Sequence, residues 1–358
     1  MKKKVAVIGT NGLPAKYGGF ETLTDYLVKY LSSDYQFYVY CSKNNTPNQL
    51  KEYHGAKLIA LPLNANGFQS IAYDLISIIH SLFYADVLLI LGTPGAIILP
   101  LLKLFNKKVI VNFGGLEWKR DKWPRLVQHY LKFTEKLAVR YSDVVVADNQ
   151  AFIDYILSEY KVKAILIEYG GDHVLTSFRE DKLFAKYPFV KEHYFISVSR
   201  AQIDNNIHML LEGYEISGVK PALVIISNWA FTEYGRQLKL KYAGRPNIIL
   251  LDAIYDQEEI DFLRKNALIY IHTHSFCGTA PSLVEAMNLE LPVICFDVDT
   301  NRYTTENRSG YFKDSEELST LLSTLTVAQL KINAENMSQI AKNKYSWSII
   351  TKKYAQLF

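Results

Sequence analysis

The chain has 358 residues, 49% hydrophobic and 21% charged, with a formal net charge of +4. That length suits two domains better than one core, and that composition excludes a disordered chain. Three widely spaced cysteines, Cys41, Cys277 and Cys295, exclude a disulfide framework or a Cys-x-x-Cys knuckle and fit a reducing cytoplasm.

The opening MKKKVAVIGT carries too short an apolar run for a signal peptide. Strands are predicted at KVAVIG (4–9), QFYVYCS (36–42), KLIALPL (57–63), DVLLILG (86–92), KVIVNFG (108–114) and DVVVADN (143–149), with helical patterns over 21–33, 70–83 and 124–141. These runs are apolar on both faces, as buried parallel strands are. The greasy stretch from Ala85 to Phe113 resembles a membrane span, but Gly92, Pro94, Gly95 and Pro100 leave no uninterrupted run of about 18 apolar residues. A second series opens with KAILIEYG (163–170) and continues through YFISVSR (194–200), a helix over 206–217, ALVIISN (222–228) and NIILLD (247–252). It ends with a helix over 256–266, ALIYIHTH (267–274), a helix over 281–289 and PVICFD (292–297). Two rounds of strand–helix alternation predict an α/β protein of two Rossmann-like doubly wound domains facing each other across a cleft. The predicted domains are 1–170 and 171–336, with 337–358 as a closing helix that returns across the junction.

Charge is unevenly shared. Residues 1–170 hold 20 Lys/Arg against 14 Asp/Glu, a net +6, which leaves 20 against 22, a net −2, for 171–358. The N-terminal excess clusters in KLFNKK (103–108) and EWKRDKWPR (117–125), where Trp118 and Trp123 interleave with basic residues. That pattern suits an anionic membrane surface or a phosphorylated substrate, and equally the lining of a cleft; nucleic acid is not an expected partner.

The loop GLPAKYGGFE (12–21) has Gly9-x-x-Gly12 and Gly18-Gly19 rather than G-x-G-x-x-G, and no acidic residue ends the next strand, so a dinucleotide site is not expected. Its paired glycines either make a turn into a helix or let backbone amides approach an anion. Arg200 follows a strand and Asn205-Asn206 stands at a helix entrance; the arginine can clamp a diphosphate or pair with a surface carboxylate, and the asparagines can cap the helix. In HTHSFCGTAPSLVEAM (272–287) a glycine-containing loop precedes a helix that carries Glu285. Loop amides there can take a phosphate, while Glu285 accepts from vicinal hydroxyls or complements the helix dipole. His272 and His274 share a strand face near Cys277, which metal sites use, but no further ligand sits at a supporting spacing, so no metal or cofactor is predicted. Asp172, His173 and Glu117 are possible acid/base groups.

These segments together resemble retaining glycosyltransferases of the GT-B fold, glycosyltransferase family 4, nearly end to end. The resemblance runs from the opening glycine loop through IEYGGD, SVSR…NN and GTAPSLVEAM to the final YSW helix. GLPAKYGGFETL, GLEWKRDKW and GTAPSLVEAM…FDVDTNRYTTEN resemble in particular bacterial rhamnosyltransferases that build capsule or cell-wall polysaccharide. The resemblance implies a nucleotide-sugar donor, dTDP-rhamnose, and an acceptor sugar on a polyprenyl diphosphate carrier. It places the enzyme in the cytoplasm, peripheral at the inner face of the cell membrane. Glu285 would bind the nucleotide ribose, the amides of Thr279, Ala280, Pro281, Ser282 and Leu283 would meet the diphosphate and sugar, and Gly18 and Gly19 would bind donor as well, lining the cleft from the acceptor side with their amides near the donor phosphates or transferred sugar. Arg200 would stabilise the leaving diphosphate, without a metal. Lys16, Tyr17, Phe20, Glu117 and Arg120 fall to the acceptor side.

Three positions depart from the family pattern. Asn205 stands where a lysine is usual, with Arg302 as the expected replacement charge in the catalytic group; Cys277 stands where the first glutamate of a pair is usual; Gly114 stands where a histidine often precedes GLE. A nucleotide-sugar epimerase or hydrolase of the same plan, or a non-catalytic binding subunit, are the competing readings.

Overall fold

Val5, Ala6, Val7 and Ile8 are all buried because successive side chains of one strand enter two different apolar layers. Val5 and Val7 pack with Val87, Leu89 and Leu91, whereas Ala6 and Ile8 pack with Leu88, Ile90 and Tyr73 on the other face. The structure, a computed structural model, describes residues 2–15, 18–42, 50–120 and 123–358. It divides into two units, one made of Met1–Tyr169 with Trp347–Phe358 and the other of Gly170–Ser346.

The first unit is built on β1 (Lys3–Ile8), β2 (Tyr35–Ser42), β3 (Glu52–Tyr53), β4 (Ala56–Leu61), β5 (Val87–Leu91), β6 (Lys108–Asn112), β7 (Val144–Ala147) and β8 (Ile165–Leu166). Their order is β3-β4-β2-β1-β5-β6-β7-β8, parallel except for the short β3–β4 pair. The run KAILIEYG therefore closes the first sheet instead of opening the second: Ile165 pairs with Val146, and Ile167 and Tyr169 are buried in the first unit's core. The stretch 337–358 is shared between the units. Residues to Lys344 complete the Val327–Lys344 helix of the second unit. The Trp347–Ala355 helix joins the first, where Trp347 stacks on Tyr26 at 4.3 Å and the Tyr354 hydroxyl accepts from Asn112 at 2.8 Å.

The second unit holds β9 (Tyr194–Val198), β10 (Ala222–Ser227), β11 (Ile248–Asp252), β12 (Ile269–His272), β13 (Val293–Phe296) and β14 (Gly310–Phe312). All are parallel, in the order β11-β10-β9-β12-β13-β14. Both sheets are thus doubly wound, as the alternating pattern predicts. Among the described residues no helix is long and apolar enough to cross a membrane.

One buried acid in the first unit is outside any ion pair seen among the described residues. Asp74, on the Gln69–Ser81 helix, is 3% exposed and its Oδ1 has no hydrogen-bond partner. Burial pushes its carboxyl up to about 8, against the backbone N–H of Gly95, which favours the charged form. The folded chain therefore keeps a proton that the unfolded chain releases above about pH 4. This contribution to stability is full below that value and is lost as pH rises through about 8. Asp74→Asn is expected to flatten the decline, by up to about 1.4 kcal/mol per pH unit, in urea unfolding measured at pH 5, 6.5 and 8. Parallel curves for parent and variant would refute the neutral acid.

Candidate functional site

In the second sheet β9 lies between β10 and β12, so the strand order reverses there. Loops leaving the carboxyl ends of strands at such a point are where doubly wound sheets hold ligands. The loop after β9 and the loop after β12 are fastened to each other. The Asn206 side chain donates to the Thr273 carbonyl at 3.0 Å, the Ser275 amide donates to the Asp204 carbonyl at 3.0 Å, and the Thr273 hydroxyl donates to the Asn205 carbonyl. Arg200 is exposed on the first of these loops. Asn205, expected among the catalytic residues, is buried instead, and its amide donates to the Arg200 carbonyl at 2.8 Å. Its role in the structure is to shape the turn that carries Arg200.

The second loop runs into the Pro281–Asn288 helix, whose first turn has no side-chain cap. Pro281 has no N–H, and the Leu283 amide donates to the Ala280 carbonyl at 3.0 Å. The five-residue amide cradle expected over Thr279–Leu283 therefore loses the amides of Pro281 and Leu283.

Glu285 projects from this helix into a buried charged network. Its Oε2 takes Arg264 Nη1 at 2.7 Å and its Oε1 lies 3.3 Å from His173 Nε2. Arg264 also reaches Asp261 Oδ1 at 3.3 Å, and Asp261 Oδ2 accepts from the Leu175 amide at 2.9 Å and the Gln257 side chain at 2.7 Å. Burial pushes the Glu285 carboxyl up, but the Arg264 guanidinium and His173 outweigh it and hold the group below its ordinary value. Glu285 is thus an anion. Each carboxylate oxygen can accept two hydrogen bonds, so one donor at each leaves acceptor capacity at both for a ligand's hydroxyls. Sequence reasoning missed Arg264. Its signal was a charged residue on the buried side of an amphipathic helix, at Gln257–Lys265, beside Ile260 and Leu263.

Arg302 does not supply the expected replacement charge in a free form. Its fork is engaged by Asp297, with Nη2 to Oδ2 at 2.9 Å, and its guanidinium lies 4.2 Å from the Tyr311 ring centroid. The Arg302 hydrogen bonds in turn hold the Asp297 carboxyl low.

In the first unit, the Gly19–Leu31 helix begins at the paired glycines. Gly18 has φ +119°, and a Cβ there would lie 2.0 Å from Glu21 Oε2. Glu21 is buried and accepts from the Asn11 amide at 2.7 Å and the Asn11 side chain at 3.1 Å, tying the loop's start to the helix. A Cβ at Gly19 would meet the Tyr169 ring at 3.3 Å. Phe20 fills the space above Gly114: a Cβ at that position, where φ is +69°, would stand 2.7 Å from Phe20 Cζ. The absence of a side chain at 114 is therefore matched by the ring at 20. Glu117 and Arg120 pair with each other at 3.0 Å, and Glu117 also accepts from Trp123 Nε1 at 3.1 Å. Trp118 is flanked by Lys132 and Lys119, at 4.6 and 5.4 Å from its ring. Lys16 and Tyr17 lie outside the described residues. Large apolar side chains stand in solvent on neighbouring elements: Leu101 on the Leu99–Leu102 helix, Leu104 just after it, and Leu126 and Phe133 on the Arg125–Tyr141 helix that packs beside it. Leu104 and Leu126 are 83% and 84% exposed.

Comparison with known proteins agrees with this architecture. Residues 179–347 match the family Glycosyl transferases group 1, and residues 2–172 match a Domain of unknown function (DUF1972). No curated protein matches the chain by sequence. Among solved structures, sucrose-phosphate synthase from Thermosynechococcus elongatus superposes with a TM-score of 0.82 at 16% identity, covering 99% of this chain and 98% of that one. Anabaena HepE in complex with UDP-glucose gives 0.80 at 14% identity, and WaaG, a glycosyltransferase involved in lipopolysaccharide biosynthesis, gives 0.74 at 14%; each comparison covers 99% of both chains. The chain has the GT-B fold of two Rossmann-like domains.

The Glu285 network makes Arg264 a sensitive point. Arg264→Ala strands two buried carboxylates and is expected to cost about 3–5 kcal/mol in urea unfolding. Adding Glu285→Gln should recover part of that loss. Less than about 1 kcal/mol for the single variant, the range of a surface pair, would contradict a buried counter-ion role.

Proposed function

We propose that this chain, whose residues 179–347 form a group 1 glycosyltransferase domain, is a retaining transferase that moves a sugar from a nucleotide-sugar donor to a hydroxyl of a lipid-linked glycan. The observation that carries the reading is the strand-order reversal of the C-terminal sheet. There the loop bearing exposed Arg200 and the loop leading to Glu285 are hydrogen-bonded together. Such a site needs a cation for a departing diphosphate and a fixed acceptor for the nucleotide's sugar, and these two residues have those chemistries. HepE, which shares the fold, binds UDP-glucose.

In this reading Glu285, fixed by Arg264 and His173, accepts from the nucleotide's pentose. Thr279, Ala280 and Ser282 offer amides to the diphosphate, and Arg200 neutralises it as it leaves. The acceptor hydroxyl attacks from the face the diphosphate vacates, and a phosphate oxygen takes its proton. The protein contributes position and electrostatic stabilisation and no nucleophile. Phe20, with Lys16, Tyr17, Glu117 and Arg120, serves the acceptor side.

The sugar is rhamnose, carried by dTDP, and the acceptor is a glycan on a polyprenyl diphosphate, on the strength of the long motifs GLPAKYGGFETL and GLEWKRDKW. The enzyme works at the cytoplasmic face of the membrane. Exposed Leu101, Leu104, Leu126 and Phe133, set among the N-terminal unit's excess of basic residues, favour contact with an anionic bilayer.

Arg200→Ala is expected to lower turnover about 10²–10³-fold while leaving the melting temperature unchanged, measured as transfer from donor to lipid-linked acceptor. Near-normal transfer would refute the role. A thermal-shift series decides the nucleotide, since ligands of the native state raise its apparent stability. Stabilisation by dTDP supports the rhamnose reading, whereas a response to UDP or GDP alone rejects it. For the membrane contact, Leu104→Glu with Leu126→Glu should abolish flotation with anionic liposomes at low salt; flotation that persists, or a parent that fails to float, rejects that surface.

A further inference from the structure

The loop after β12 contains a cluster that sugar transfer as described does not use. His272 ends the strand and His274 lies two residues on, and their rings approach to 4.4 Å between centroids. The chain then turns so that Cys277 Sγ comes 3.9 Å from His272 Nε2. One ligand atom from each of His272, His274 and Cys277 lies within 4.8 Å of the other two. Sequence spacing alone suggested two ligands and a nearby thiol; the fold brings all three to one point.

His272 provides a second and independent observation. It is 1% exposed, and its Nδ1 has no hydrogen-bond partner among the described residues. Its other ring nitrogen faces a thiol, a weak partner, among the described residues. Both ring nitrogens are thus poorly compensated where they are buried, and an ion bound through one of them would relieve that nitrogen. His274 and Cys277 are half-buried, so the cluster is reached from solvent.

We propose that His272, His274 and Cys277 bind a borderline divalent ion, Zn(II) first among them, through two imidazole nitrogens and one thiolate. Mixed nitrogen–sulfur donors select such an ion over magnesium or calcium, which prefer oxygen. A tetrahedral zinc with these ligands sets neighbouring donor atoms about 3.3–3.6 Å apart. Closing the cluster to that size needs a movement of up to about 1.2–1.5 Å at its widest pair, and the irregular backbone between β12 and the Pro281–Asn288 helix, which carries His274 and Cys277, can supply it. Three protein ligands leave a fourth position for water or another small donor. On binding, the Cys277 thiol gives its proton to solvent and an S–Zn bond forms; the imidazoles donate lone pairs and no electron is transferred. The ion would fasten the loop that delivers Thr279, Ala280 and Ser282. The inference does not depend on which sugar is moved or on whether transfer occurs.

The test uses the full chain, untagged and stripped of metal, titrated with Zn(II) against a chromophoric chelator. One equivalent per chain is expected, weakened at least 100-fold in Cys277→Ser and in His274→Ala and unchanged in Cys41→Ser, with circular dichroism and melting temperature confirming that each variant folds. Co(II) should give a thiolate-to-metal charge-transfer absorption in the parent that is missing from Cys277→Ser. Absence of stoichiometric binding, binding retained by both ligand variants, or a Co(II) complex without the thiolate band would overturn the site.

Discussion

A carboxylate that is to be both charged and buried faces demands that conflict unless a counter-ion is buried with it. Glu285 meets both through Arg264 and His173. Arg264 is itself answered by Asp261, and Asp261 by Gln257 and the Leu175 amide. The chain of charges links three separate pieces of sequence: the segment at 173–175, the Gln257–Lys265 helix and the Pro281–Asn288 helix. No one of these can shift alone without leaving a buried charge exposed to its own desolvation. The position of Glu285, and with it the loop ahead of its helix, follows from that closure.

The N-terminal unit solves a related problem by sterics and one carboxylate. Buried Glu21 gathers both the amide and the side chain of Asn11, and the missing side chain at Gly18 gives the carboxylate room. The loop is thereby clamped at both ends although it contains paired glycines. Phe20 then takes the space over Gly114. A single change at 114 toward a larger residue would have to displace that ring, so the two positions form one unit of packing.

Much of the architecture was legible because buried parallel strands are written as short apolar runs and their helices as amphipathic segments. Arg200 and Glu285 stand out in the sequence for a related reason: Arg200 follows a recognisable strand, and Glu285 lies on the helix that follows the loop after β12. What escaped was whatever depends on pairing across the sequence. KAILIEYG reads equally well as a last or a first strand, and only its register against β7 decides. Arg264 drew no reading, because a sequence does not display that Glu285 stands opposite it. Arg302 looked available until Asp297, five residues earlier, was seen to fork onto it. The amides over Thr279–Leu283 were read as a uniform cradle, although Pro281 lacks a donor and Leu283 turns its own back on Ala280.

The central claim is group transfer between a nucleotide sugar and a separate acceptor, and acceptor-dependent release of nucleoside diphosphate measures it most directly. With dTDP-rhamnose and a polyprenyl-diphosphate-linked glycan both present, the account predicts that each nucleoside diphosphate released is matched by one sugar gained by the lipid-linked product. Without acceptor, release should fall to background. Equal release with and without acceptor, or binding of donor with no release under either condition, would contradict a transferase.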